Sequence, residues 1–338
     1  MSHSSIERDR WVVSLRPPRN VVDPRRPVGF LLEEERSEEG TPVSVATVFL
    51  ANRECPWRCV MCDLWKNTVA ETVPIGAIPA QIDEALAGLA KAGPHPRQIK
   101  LYNSGSFFDP HAIPVEDHAA IAERMRPFER VIVECHPALV REPVLRFRDR
   151  HAAQLEVAMG LETVDPAVLP KLNKRMSLEQ FAQASAFLRE ADIALRVFIL
   201  VQPPFQARAD AVGWAARSID FAFACGASVA TLIPTRFGNG ALEALAAEGE
   251  FSPPDLETLE AAAEYGVRLR RGRVFADLWD LEKFSRCPAC FEERRRRLER
   301  MNLRQDVEPR SPCPACGHGR VGEAPHDTYR AAKRRRLP

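Results

Sequence analysis

The chain has 338 residues, of which 45% are hydrophobic and 28% charged, and its formal net charge is +1. These values are ordinary for a globular protein, and the length suffices for one large domain and a small module. The sequence has no run of eighteen or more apolar residues, and its first ten residues lack the apolar core of a signal peptide. Seven of the nine cysteines fall into metal-type groups, which need reduced thiols. We therefore expect a cytoplasmic protein without membrane contact.

Residues 1–43 are predicted to form an N-terminal arm. They are rich in proline, arginine and glutamate, and the segments Arg16–Arg19 and Pro24–Pro27 are typical of extended or loop structure. We expect one strand, Val28–Leu32, and no long helix, because proline disrupts helix interiors. The arginines of the arm are expected to lie on a packed surface, with substrate contact as the alternative.

Residues 44–285 show alternating strand and helix signals. The predicted strands are 44–50, 98–102, 130–135, 154–161, 194–201 and 228–233, and the predicted helices are 79–92, 115–126, 142–148, 177–191 and 210–225. A helix at 255–271 and a strand at 273–278 extend the pattern. Repeated strand–helix units indicate an α/β protein with a parallel sheet and helices packed outside it. Periodicity alone does not separate an open barrel from a doubly wound sheet.

Three cysteines follow the first of these strands at CxxxCxxC spacing. They are Cys55, Cys59 and Cys62. Three close thiolates can hold three irons of a cubane iron–sulfur cluster and leave the fourth iron open to another ligand. A structural zinc site would need four ligands. The alternatives are a fortuitous group of cysteines, or a zinc knuckle that a distant residue completes.

This motif, directly after the first strand, resembles the signature of the radical S-adenosylmethionine (SAM) superfamily. The resemblance implies a partial (βα)6 TIM-like barrel of radical SAM type, a 4Fe–4S cluster on the three cysteines, and SAM bound at the open iron. It also implies an external one-electron reductant, homolytic cleavage of SAM, and hydrogen abstraction from a substrate by the adenosyl radical. Met61 stands where the superfamily packs an apolar residue near adenine. Glu54 is a departure, because many relatives have glycine before the first cysteine.

The other candidate cofactor-binding residues follow later strands, since ligands of parallel α/β proteins gather at the carboxyl ends of strands. Within the resemblance, Ser104, Gly105 and Ser106 correspond to a glycine-rich motif that meets the SAM amino group; an ordinary turn is the alternative. Glu134 suits contact with a charged ligand, or is a polar residue satisfied within the protein. Glu162 suits the ribose or amine of SAM, because a carboxylate accepts two hydrogen bonds at once.

Other residues at strand ends have less defined roles, and no catalytic residue is identified. His136 also suits a charged ligand. The basic loop 171–175 receives the SAM carboxylate or a substrate phosphate, or is simply solvated. We expect Arg196 and Gln202 to face the barrel interior, and Arg236 follows the sixth strand.

Residues 286–338 are predicted to form a small zinc-ribbon-like module. Two CxxC pairs, Cys287 with Cys290 and Cys313 with Cys316, suit a tetrahedral zinc ion, and an auxiliary iron–sulfur cluster is the alternative. The segment carries 14 basic and 7 acidic residues. Its two basic runs, 294–297 and 333–336, suit contact with the phosphate backbone of an RNA. A basic surface that is only solvated is the alternative.

The segments 103–109 and 160–163 resemble the archaeosine-forming tRNA enzymes of the radical SAM superfamily and, more distantly, the Elongator catalytic subunit. This resemblance implies a modified tRNA base as the substrate, with the basic tail holding the RNA. A radical SAM enzyme that acts on a protein, a peptide or a small molecule is the first alternative. A non-catalytic, zinc-dependent RNA-binding protein is the second.

Overall fold

In residues 5–91 and 95–319, which the computed structural model describes, eight strands form one sheet in the order of the sequence. The strands are β1 (Gly29–Arg36), β2 (Pro42–Leu50), β3 (Gln98–Asn103), β4 (Arg130–Glu134), β5 (Gln154–Glu162), β6 (Ala194–Val201), β7 (Val229–Pro234) and β8 (Arg273–Ala276). β1 pairs antiparallel with β2, and all later pairs are parallel. The sheet is an open half-barrel with β1 and β8 as its edges, so the predicted partial barrel is confirmed.

The helices mostly follow the strands in a βα alternation. They are α1 (Ser5–Ser14), α2 (Ala77–Leu89), α3 (Asp117–Met125), α4 (Glu142–Arg148), α5 (Leu178–Glu190), α6 (Ala211–Ala224), α7 (Ala241–Ala247), α8 (Leu256–Leu269) and α9 (Pro288–Arg304). The apolar faces of α2 to α6, α8 and α9 and the outer face of the sheet form one large buried core, whereas Val12 of α1 and Leu242 of α7 lie in a second, smaller cluster. None of the helices in the described residues is long and apolar enough to span a membrane.

Two helices differ from the sequence-based expectation. The arm contains the helix α1, which ends at Ser14. A helix can form there because the first proline of the arm comes only at Pro17. The tail contains α9, a helix of 17 residues, and its Leu298 and Met301 lie in the main core of the barrel. The predicted strand at 28–32 is present as the longer β1. The tail residues up to 319 are therefore packed against the barrel, and residues 320–338 lie outside the described structure.

The floor of the barrel interior is charged. Strand register places Lys100, Glu156 and Arg196 on the inner face, and Glu35 of β1 reaches Lys100 at 2.5 Å and Arg196 at 2.8 Å. Arg196 also bonds Glu156 at 2.6 Å, which confirms that it faces the interior. Burial alone would raise the pKa of Glu35, but Arg196 and Lys100 outweigh burial and hold that pKa far below its usual range. These charges are tolerated inside the protein because each has an opposite partner.

Above this floor the interior is lined by aromatic side chains that remain partly exposed. Phe49, Tyr102 and Phe198 lie on the same inner face by strand register. The ring centroids of Phe49 and Tyr102 are 6.5 Å apart, and those of Tyr102 and Phe198 are 6.0 Å apart. Trp279 follows β8 and is 55% exposed, and its ring lies edge-to-face with that of Phe49 at the rim, with ring centroids 6.2 Å apart. The barrel therefore has an accessible interior with aromatic walls.

Helix α9 spans the two edges of the open sheet and contacts both β1 and β8. Asn302 accepts from the Ala276 amide at 2.8 Å and donates to the Ala276 carbonyl at 2.9 Å. Gln305 makes the same pair of bonds with Val274, at 2.7 and 2.9 Å. Side-chain amides thus take the place of a further strand on β8, which covers an edge that would otherwise be free to pair with another chain.

We expect the substitution Asn302→Ala to lower the free energy of unfolding by about 1–3 kcal/mol, because it leaves two main-chain groups of β8 without their partner. Urea denaturation measures this change. Arg304→Ala is the matched control on the same helix, since its pairing with Glu308 is largely exposed and its loss should cost less than about 1 kcal/mol. Equal stability of the two variants would contradict the proposed role of Asn302.

Candidate functional site

The loop that carries Cys55, Cys59 and Cys62 follows the carboxyl end of β2 and is held by segments after other strands. The Val60 amide donates to the Leu172 carbonyl at 3.0 Å. Asn173, at φ +58°, donates to the Arg58 carbonyl at 2.8 Å. Asn239 donates to the Val60 carbonyl at 2.7 Å. The loop is therefore fixed by contacts from the segments after β5 and β7.

Sequence reasoning missed the structural roles of Asn173 and Asn239. Both lie in segments whose predicted roles rest on basic residues, those of the loop 171–175 and Arg236. The signal for Asn173 was its residue type, because asparagine tolerates the left-handed region better than most residues. Nothing in the sequence pointed to the partners of either side chain.

The three thiols of this loop are uncharged at neutral pH as long as no metal is bound to them. Burial raises the pKa of Cys55, Cys59 and Cys62 to about 12 each, although the nearby Lys174 lowers it for the first two. Thiolates are soft ligands that select iron–sulfur clusters, zinc or copper, and coordination deprotonates a thiol. The donor set therefore fits the cluster that the sequence predicts, and these cysteines stay predicted ligands.

Gly105, in the segment after β3, packs directly against this loop. Its φ is +118°, and a Cβ atom at this position would lie 2.8 Å from Cβ of Cys55. Any other residue would therefore displace the first cysteine. The Ser104 amide donates to Oδ1 of Asn52 at 3.1 Å, and Ser106 Oγ accepts from the His136 amide at 2.6 Å. Contact of this loop with SAM remains a prediction.

Glu162 and Lys174 form a buried ion pair beside the cysteine loop. The register of β5 shifts between Gly160 and Glu162, and Glu162 has a φ of +65°. A Cβ atom at Gly160 would collide with both members of the pair, so the pair lies directly over that glycine. Burial lowers the pKa of Lys174, but Glu162 and then Cys59 outweigh it, and the net shift is upward. Lys174 is therefore a permanent cation beside the thiols.

Glu134 and His136, at the end of β4, are both uncharged at neutral pH. Burial raises the pKa of Glu134 to about 8, and its carboxylate accepts from the Asn103 amide at 3.0 Å. Burial and then Lys174 lower the pKa of His136 to about 3. The His136 ring stacks on Trp57 of the cysteine loop at 3.8 Å. The histidine thus packs against the loop, and its contact with a charged ligand remains a prediction.

The remaining sequence-predicted residues occupy varied places. Met61 packs against a second apolar cluster that includes Val12 of α1 and Leu242 of α7, so its contact with adenine remains a prediction. Gln202 is buried and donates to the Ser252 carbonyl at 2.6 Å. Arg236 pairs with Asp277 at 2.5 Å.

The basic loop 171–175 is not an open cluster of cations. Lys174 is paired with Glu162, and Arg175 pairs with Asp9 of α1. Nζ of Lys171 lies over the ring of Phe205, 5.2 Å from its centroid. These contacts show how the loop joins α1 to the site.

The four cysteines of the tail converge on one point. The sulfurs of Cys287, Cys290, Cys313 and Cys316 all lie within 4.8 Å of one another. Those of Cys287 and Cys313 are 4.0 Å apart, and those of Cys290 and Cys316 are 3.8 Å apart. Four thiolates on one tetrahedral zinc, at a Zn–S distance of about 2.3 Å, have sulfurs about 3.8 Å apart. The arrangement fits one ion better than a cubane cluster, in which each thiolate binds a different iron.

Half of the arginine run on α9 is used inside the protein. Arg294 bonds Glu260 of α8 at 2.9 Å, and Arg297 bonds Glu264 at 2.8 Å. Both arginines are buried, so they hold α9 to α8 and are not available to an RNA phosphate. Arg296 is exposed. The second run, 333–336, lies outside the described residues.

Comparisons with known proteins agree with this architecture, although no family model matches the chain. It is 25% identical over 226 residues to archaeosine synthase subunit beta of Methanosarcina acetivorans, which covers 64% of each chain. It is 29% identical over 133 residues to the same subunit of Thermococcus kodakarensis, covering 37% of this chain and 40% of that one. It is 21% identical over 308 residues to an uncharacterized protein of Methanocaldococcus jannaschii, covering 86% and 84%.

Among solved structures, the archaeal Elp3 of Methanocaldococcus infernus superposes with a TM-score of 0.51 at 15% identity, over 66% of this chain and 59% of that one. The chain thus has the fold of the radical SAM enzymes and is distantly homologous to archaeosine synthase subunit beta. The alignments span less than two thirds of either archaeosine synthase subunit.

The raised pKa of Glu134 gives a pH dependence of stability with a definite sign. Its folded-state pKa is about 8, above the ordinary value of 4.5, so between these pH values the folded protein keeps a proton that the unfolded chain has lost. The stability from the neutral carboxyl is complete below pH 4.5 and is lost as pH rises through 8. From pH 5 to pH 8, Glu134→Gln should therefore gain roughly 1–3 kcal/mol in free energy of unfolding relative to the unsubstituted protein.

Urea unfolding at several pH values measures this gain. Glu129→Gln is the control, because Glu129 is an exposed carboxylate that pairs with Arg97 on the surface. A gain of the same size in both variants would show that the trend does not come from burial of Glu134.

Proposed function

We propose that this protein is a radical SAM enzyme that acts on a modified base in tRNA. Cys55, Cys59 and Cys62 would hold a 4Fe–4S cluster, and SAM would lie among Met61, the loop 104–106, Glu134 and Glu162. The observation that carries the proposal is the packing of Gly105 against Cys55, with the buried Lys174–Glu162 pair beside the same loop. When bound, the cluster and SAM supply a one-electron reduction and a radical that abstracts hydrogen.

The chain's own residues would position these groups and exclude water. Lys174 supplies positive charge beside the cysteine thiolates. Glu134 and Glu162 lie at the ends of adjacent strands, one neutral at pH 7 and the other charged and paired. A neutral carboxyl can donate a hydrogen bond as well as accept one, whereas a carboxylate only accepts. The two groups therefore offer different contacts to a ligand that carries both an ammonium and a carboxylate.

The barrel interior supports a planar substrate. Phe49, Tyr102 and Phe198 present partly exposed rings, and proteins that recognise single bases of RNA stack them on aromatic side chains. Trp279 at the rim extends this surface outward. The distant homology to archaeosine synthase subunit beta supports tRNA as the source of the base.

We propose zinc for the four tail cysteines, with a structural role. The sulfur positions fit one tetrahedral ion, and four protein thiolates leave no open position for a substrate. The ion would fix the first turn of α9 to the segment around Cys313. The exposed basic residues of the tail would then contact RNA phosphates, and an external one-electron reductant would supply the electron.

Metal analysis after anaerobic purification tests both sites at once. We expect about four irons and one zinc per chain, and 5′-deoxyadenosine from SAM when a strong reductant is added. Cys59→Ala should lose the iron and the 5′-deoxyadenosine but keep the zinc. Cys313→Ser should lose the zinc and keep the iron, so each variant is the control of the other. About eight irons and no zinc would contradict the zinc proposal and indicate a second cluster.

Binding to RNA tests the substrate class. We expect a tRNA to bind the full chain with an affinity that falls by at least about tenfold between 50 and 200 mM salt, because phosphate contacts release counterions. Filter retention of a labelled tRNA measures this fall, with a double-stranded DNA of similar length as the comparison ligand. Weak binding that does not change with salt would contradict the tRNA proposal and leave a protein, peptide or small molecule as the substrate.

A further inference from the structure

Glu54, directly before the first cysteine, is the centre of a buried group of charges. Its side chain is only 8% exposed, and three guanidinium groups surround it. Arg16 approaches at 2.7 Å and Arg58 at 3.1 Å, and Arg19 is also paired with it. Arg16 and Arg19 come from the arm, whereas Arg58 belongs to the cysteine loop. One carboxylate therefore joins the arm to the loop.

The arm makes a second set of contacts on the other side of the cysteine loop. The guanidinium of Arg16 lies over the ring of Trp65 at 4.6 Å. The Asn20 amide donates to the Lys66 carbonyl at 2.9 Å, and its side chain donates to Asn67 at 2.7 Å. The residues before and after the three cysteines are thus both tied to residues 16–20.

Helix α1 continues this attachment. Asp9 accepts a bond from Asn173 at 2.8 Å, and the same side-chain nitrogen of Asn173 bonds the Arg58 carbonyl. Val12 packs in the same apolar cluster as Val60 of the loop. Arm residues from both α1 and the segment after it therefore contact the loop that carries the cysteines.

The charges around Glu54 sum to a net positive charge, because one carboxylate is paired with three guanidinium groups. An ionised carboxylate at this depth would be costly alone, and three cations more than neutralise it. The surplus positive charge of Arg16 and Arg58 lies beside the cysteine loop, where Arg58 also donates to the Cys55 carbonyl. Positive charge near a cluster stabilises its reduced form, because reduction adds a negative charge.

We propose that Glu54 is a positioning residue that locks the N-terminal arm onto the cysteine loop, and that the charges it gathers set the reduction potential of the cluster there. The redox part rests on the proposed function, whereas the locking of the arm does not. The glutamate at this position is thus explained by its arginine partners, which a glycine could not hold.

Hydrogen exchange tests the locking of the arm in the full chain without metal. In Glu54→Gln we expect the amides of Leu15, Arg16, Arg19 and Asn20 to exchange about tenfold faster, because a neutral amide holds three guanidinium groups poorly. Arg19→Gln, a milder change at a half-exposed residue, should give a smaller increase in the same peptide. Glu84→Gln is the control, because Glu84 pairs with Arg26 of the same arm away from the cysteines. Unchanged exchange at residues 15–20 in Glu54→Gln would overturn the proposal.

A redox titration followed by electron paramagnetic resonance tests the charge effect. Glu54→Gln should shift the midpoint potential of the reconstituted cluster upward, because it removes a negative charge. Arg16→Gln should shift it downward, because it removes a positive charge. Loosening of the loop alone would move both variants in the same direction and would overturn the electrostatic part. If the unsubstituted protein binds no iron, the proposed function fails, and the exchange experiment still decides whether the arm is locked.

Discussion

Side-chain amides and ion pairs from distant segments hold the main chain of the cysteine loop, and the rest of the site depends on this fixation. The loop is bonded by Asn173 of the segment after β5 and by Asn239 of the segment after β7. At its start, Glu54 pairs with Arg16 of the arm. Each contact ends on a main-chain carbonyl or on a cation, so the loop keeps its shape without regular secondary structure. The carboxyl ends of parallel strands make this possible, because they bring these segments to one edge of the sheet.

Burial of charge divides the interior into two chemically different layers. The floor contains fully paired ions, such as Glu35 with Lys100 and Arg196, and its role is to fill the barrel with satisfied polar groups. Closer to the mouth, pairing is incomplete, and burial of Glu134 outweighs the charge of Lys174 and raises the pKa of that carboxyl to about 8. Incompletely compensated groups at this depth are typical of ligand sites, because the ligand provides the missing partner.

The parts of the fold that could be predicted from the sequence are those with local signals. Apolar runs located β2 to β7 within a few residues, and the spacing of the tail cysteines identified the group of four that the structure brings together. The fixing contacts of Glu54, Asn173 and Asn239 could not be predicted, because each joins residues far apart in the chain. The arginine run was interpreted as a basic surface, yet Arg294 and Arg297 are three residues apart and share a helix face. Glu260 and Glu264 of α8 are four residues apart and also share a helix face, so two faces of opposite charge are the signal for these pairs.

Helix α9 carries tail cysteines in its first turn and the amides that cover β8 in its last turns. One rigid element therefore joins the chemical state of four thiols to the accessibility of a sheet edge. Loss of the ion proposed for these thiols would free the helix start from the segment around Cys313 and weaken the cover over the main-chain groups of β8. An uncovered edge strand pairs readily with other molecules, so removal of the tail ion would be expressed as aggregation of the whole protein.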